Sequence, residues 1–129
     1  MRTSDTSTTQ ILPLSVDPSL RRSFRFGLLL EMLDRLAEQT ALTFAAPSRP
    51  GITFVTAAID AIRLRGVLDV SRDMIMLSRV NHVGTSSLEV GIRVEQPGSI
   101  ASHFGSCYFT MVARPRGIAL PPLQYEGEV

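Results

Sequence analysis

The stretch FGLLLEMLDRL, residues 26–36, sets a carboxylate, Asp34, among apolar residues that recur with helical spacing. Two roles are open to it. Charged side chains are seldom fully buried without a partner, so Asp34 is either a boundary residue reaching solvent or a carboxylate kept at the apolar edge for acid–base or nucleophilic work. Glu31, the competing acid, has Arg35 four residues on and falls on the polar side of the same helix, a surface pairing. His82 and His103 have no acidic or cysteine neighbours at metal-ligand spacing, so no metal is expected. Cys107, the single cysteine, lies in an apolar run and reads as a small buried hydrophobe. Arg79 and Arg93 fall on neighbouring predicted strands as solvated charges or as a phosphate contact. Met74, Met76 and Met111 read as core fillers, or as deformable lining for a pocket.

The elements that must position these residues are legible from periodicity. Leu29, Met32, Leu33, Leu36 and Thr40 recur at spacings of three and four, with Glu31, Arg35, Glu38 and Gln39 opposite, which predicts an amphipathic helix from Phe26 to about Leu42. The loop AAPSRPG at 45–51 ends it. Ile52–Leu64 and Asp73–Val83 are rich in strand-forming residues, and Ser87–Glu95 alternates strictly, with Leu88, Val90, Ile92 and Val94 on one face. GTSS at 84–87 and QPGS at 96–99 are turns, and a last strand runs from about Ala101 to Arg114. Pro13 and Pro18 confine Ile11–Leu14 to a brief edge strand or extended arm. Strands joined by tight turns are antiparallel, and an amphipathic helix needs an apolar surface to cover, so a helix wrapped by an antiparallel sheet follows.

At 129 residues, 44% hydrophobic and 19% charged, the chain has the size and composition of one globular domain. No apolar run approaches the roughly 20 residues of a membrane span, the amino terminus shows no secretory h-region, and a lone cysteine calls for no oxidising compartment. A cytoplasmic setting without membrane contact is expected. A net charge of +1 with dispersed arginines offers no basic face, so no nucleic-acid partner is expected.

Three stretches, in this order, resemble the hotdog-fold acyl-CoA thioesterases over residues 20–114: FGLLLEMLDRLAEQTAL as the central helix, VTAAIDAIRLRGVLDVSRDMIML as the next two strands, and VNHVGTSSLEVGIRVE with CYFTMVA as the last. The resemblance implies an α+β hotdog fold, a long central helix wrapped by an antiparallel sheet; the residues outside it read as a flexible arm at 1–19 and a tail at 115–129. It places the family's catalytic carboxylate on Asp34, as base or nucleophile, and its oxyanion glycine on Gly27. Helix N-terminal N–H groups favour the charge that develops on a carbonyl oxygen, and a glycine leaves the approach open. Three positions depart from the pattern. Ser23 stands where many members have Asn and becomes a weaker auxiliary, Phe26 replaces a small residue, and the coenzyme turn reads Gly84, Thr85, Ser86, Ser87 without its usual arginine.

The expected activity is hydrolysis of an acyl-CoA to the free acid and coenzyme A, with no cofactor beyond the coenzyme in the substrate. The expected assembly is a homodimer with a continuous sheet, or a higher oligomer built from it. The departures support an alternative, a hotdog protein that binds an acyl thioester or assembles without catalysis. A hotdog dehydratase or hydratase is a further rival, set low because no His lies near the helix.

Overall fold

The computed structural model describes residues 2–23, 26–64, 69, 71–97 and 103–123, excluding the side chains of 21, 23, 26, 61–64, 103 and 104. Its longest element is a helix, α2, at Phe26–Ala45, about 30 Å long at 1.5 Å per residue. Leu29, Leu33, Leu36, Ala37, Thr40, Ala41 and Phe44 form its buried stripe, while Glu31, Arg35, Glu38 and Gln39 are exposed. The helix runs a turn beyond the expected end. It stops where Pro47 and Pro50 remove donors and Gly51, at φ 83°, takes a left-handed conformation.

The strands are β1 at Thr8–Leu12, β2 at Thr53–Leu64, β3 at Met74–Val83, β4 at Ser87–Glu95 and β5 at His103–Arg114. They form one antiparallel sheet in the order β1-β3-β4-β5-β2. The helix lies against the face built by Met74, Met76, Val80, Leu88, Val90, Ile92, Val94, Phe109 and Met111, all buried. One polar pair is sealed inside that interface. Thr40 Oγ1 donates to Leu36 O at 2.8 Å and shares a 2.8 Å hydrogen bond with Ser78 Oγ, so neither buried hydroxyl is left unsatisfied. No described helix is long and apolar enough to cross a membrane.

Both ends are more ordered than expected. The arm placed at 1–19 supplies β1, which pairs with β3, and buries Leu12 and Leu14. Thr6 fixes it further, donating from Oγ1 to Thr3 O at 2.6 Å and accepting from the Val80 N–H at 2.8 Å. A short helix, α1, follows at Pro18–Ser23; Asp17 Oδ1 accepts from the Leu20 N–H at 3.0 Å, and Pro18 sits in the first turn, where it costs no hydrogen bond. The tail expected from 115 is docked as far as 123, with Ile118, Leu120 and Leu123 packed on the core. Pro97 is described, but the rest of the expected turn at 98–99, and 124–129, lie outside the described residues.

Candidate functional site

Asp34 lies in the middle of α2, half-buried, and its Oδ1 accepts a hydrogen bond of 2.5 Å from Thr56 Oγ1. Thr56 belongs to the edge strand β2, which the chain reaches after reversing direction past Pro47 and Gly51. The hydroxyl also lies 3.4 Å from Met111 Sδ. It carries one proton, and a carboxylate at the shorter distance is much the stronger acceptor, so the bond to Asp34 takes it. Half-buried and bonded to an exposed threonine, Asp34 is compatible with both roles open to it, the boundary residue and the aimed carboxylate.

Thr56 is the residue that sequence reasoning missed. Its only signal was a hydroxyl in the run TFVTAAI, and its meaning depends on which helix residue β2 passes.

Gly27, in the first turn of α2, is exposed, and a Cβ built on it would meet no atom within 4 Å. Among the described residues, no packing contact requires glycine there. Seven residues separate Gly27 from Asp34, a rise of about 10 Å along one helix. One carbonyl cannot lie within about 3 Å of both. The structure therefore does not bring the two expected catalytic positions together within one chain. Ser23 ends α1, and its side chain lies outside the described residues.

The turn at 84–87 joins β3 to β4. Thr56, Met111, Leu88 and Val83 are successive cross-strand partners, so the turn stands at the level of Thr56, roughly 10–15 Å away at about 4.8 Å per strand. The Gly84 N–H donates to Ser87 O at 2.7 Å, and a Cβ at Gly84 would come within 3.3 Å of Ser87 Oγ. Burial pushes the Cys107 thiol up to about 12, far from a reactive thiolate. Met74, Met76 and Met111 are core, and Arg93 pairs with Glu95 at 2.8 Å on the outer sheet face. His82 is exposed on β3, and the His103 side chain lies outside the described residues. Among the described residues no three His, Cys, Asp or Glu side chains gather as metal ligands.

An open groove of about 750 Å³ runs along Arg35, Gln39, Leu42 and Ala46, and cavities of about 320 and 340 Å³ lie beside β1. Asp34 and Thr56 line none of the three.

No family model matches the sequence. The chain is 33% identical over 103 residues to protein VdlD of Helicobacter pylori, a match covering 78% of this chain and 56% of that protein. It thus spans little more than half the length of the curated relatives it matches. Among solved structures it superposes on the Staphylococcus aureus acyl-CoA hydrolase in complex with butyryl coenzyme A, coenzyme A and coenzyme A disulfide, with a TM-score of 0.79, 20% identity, and coverage of 99% of this chain and 77% of that one. Forms of that hydrolase with a threonine, an aspartate or an asparagine changed to alanine match with TM-scores of 0.78, 0.76 and 0.78. A hexameric acyl-CoA thioesterase matches with a TM-score of 0.72 and 24% identity, covering 100% of this chain and 83% of that one. The chain has the hotdog fold of these proteins.

Proposed function

We propose that this hotdog-fold chain is an acyl-CoA thioesterase, hydrolysing an acyl-CoA to a free carboxylic acid and coenzyme A. The observation that carries the reading is the Thr56–Asp34 hydrogen bond, which fixes one carboxylate oxygen and thereby aims the other, as a general base requires. Water attacks the thioester carbonyl carbon while Asp34 takes its proton. The tetrahedral intermediate then collapses, the C–S bond breaks, and Asp34 returns the proton to the departing thiolate. Direct attack by Asp34 on the carbonyl carbon breaks the C–S bond and expels the coenzyme thiolate, leaving a mixed anhydride. Water then opens it to the free acid and the Asp34 carboxylate, its remaining proton going to the thiolate, so the products are the same. The staphylococcal hydrolase supports the reading, since an aspartate and a threonine are among its altered residues and those two residue types meet here.

Gly27 serves as the oxyanion donor, at the positive end of α2. Because Gly27 and Asp34 of one chain stand about 10 Å apart, a complete site takes Gly27 from one subunit and Asp34 from another. The edge strand β2 is where a second copy would pair. Val55 and Ile59 are each 44% exposed there, beside exposed Ala57 and Ala58, an apolar edge that a lone soluble subunit would leave open. The turn Gly84–Ser87 holds the coenzyme phosphates, Ser23 is an auxiliary donor, and a cytoplasmic setting belongs to the same proposal. As written, the reaction needs no metal or redox cofactor.

Thiol release from short, long and aromatic acyl-CoAs tests the substrate class. Turnover of at least one is expected. Binding of every ester without cleavage would instead establish a non-catalytic acyl-thioester binder.

A further inference from the structure

The segment 115–123 is latched at both sides of the sheet end that carries Thr56. Beyond Arg114, the chain turns at Gly117, whose φ of 82° suits glycine. Arg49, in the loop after α2, donates from Nε to Ala119 O at 2.7 Å and from an Nη to Ser48 O at 3.0 Å. The next residue, Leu120, donates its N–H to Thr85 O at 3.1 Å. One peptide thus ties the end of the helix to the 84–87 turn.

The consequence for the turn is electrostatic. Thr85 O accepts from Leu120, Ser86 O accepts from the Ala113 N–H at 2.8 Å, and Ser87 O accepts from Gly84 at 2.7 Å. Thr85 O is thereby held toward the segment and Ser86 O toward β5, while Ser87 O closes the turn on Gly84. A trans peptide holds its C=O and N–H on opposite sides, so the Ser86 N–H, in the same peptide as Thr85 O, faces away from the segment. With the hydroxyl of exposed Thr85, it gives the turn donors of the kind that receive a phosphate.

We infer that Arg49 is a positioning residue: through Ala119 and Leu120 it holds the Thr85 carbonyl toward the C-terminal segment, so that the donors of the 84–87 turn receive the phosphates of coenzyme A. This rests on the thioesterase reading for the identity of the ligand. Released from the latch, Thr85 O is free to rotate outward and oppose an anion.

The test is calorimetric binding of coenzyme A and of pantetheine, which lacks the nucleotide and its phosphates, to wild type, Arg49→Gln, Arg49→Lys and Leu120→Pro. Thermal melts check that each is folded. Leu120→Pro deletes the N–H that Thr85 accepts, so it cuts the latch independently of Arg49. The ratio of coenzyme A affinity to pantetheine affinity is expected to fall at least fivefold in Arg49→Gln and in Leu120→Pro. Arg49→Lys, which keeps one donor, should recover part of it. A ratio equal to wild type in both cut variants, or equal weakening of both ligands, overturns the inference. Wild type that cleaves acyl-CoA while the ratio stays fixed refutes the latch alone. Wild type that shows the ratio change but cleaves nothing refutes the thioesterase reading alone.

Discussion

At the scale of single residues, the proposal has Thr56 aim Asp34 through their hydrogen bond. A hydrogen bond to a charged group is worth about 1.5–3 kcal/mol, and each 1.4 kcal/mol is a factor of ten in rate, so Thr56→Val should lower kcat about tenfold or more. Thr56→Ser, which keeps the hydroxyl, should restore most of it. Steady-state kinetics on one acyl-CoA decides, and a Val variant as fast as wild type would show that Asp34 needs no partner. Asp73 offers a second, purely structural case. The hydroxyl and backbone N–H of Ser15, at 2.6 and 2.9 Å, hold its carboxyl below the ordinary 3.8. Because the folded value is depressed, this contact's contribution is complete above 3.8 and is lost as pH falls through the lowered value. Ser15→Ala should move the Asp73 carboxyl titration upward, as NMR can follow.

Among elements, those with long regular periods were readable before any coordinates. Leu88, Val90, Ile92 and Val94 announce β4 by alternation alone, and the leucines of α2 announce the helix. The ends were not readable for specific reasons. Pro13 and Pro18 read as breakers, yet Asp17 and Pro18 form a cap and first turn for α1, and TTQIL is too short to show a period without its partner β3. The prolines at 121 and 122 likewise mask the apolar Ile118, Leu120 and Leu123 that dock the C-terminal segment. Of the candidate site, Asp34, Gly27 and the turn were placed by resemblance. Thr56 was hidden because a contact between residues 22 apart depends on how β2 passes the helix. The docking of β1 is directly testable. Thr6→Val leaves the buried Val80 N–H without its acceptor, so it should cost about 1–3 kcal/mol in denaturant unfolding.

At the scale of the whole molecule, the sheet end that holds Thr56, the turn and the C-terminal segment is one coherent face, and β2 is its open edge. Ile59→Arg places a charge on that apolar edge and should shift the protein toward monomer in light scattering, with turnover falling in step, because Gly27 and Asp34 of one chain cannot serve one carbonyl. A monomeric yet fully active variant would refute the shared site. The central claim, that Asp34 performs the chemistry, is tested most directly by thiol release from the best acyl-CoA, comparing wild type with Asp34→Asn at equal folding and oligomeric state. The account predicts a loss of about a hundredfold or more, as removal of a general base causes. An Asn variant with wild-type turnover would contradict it.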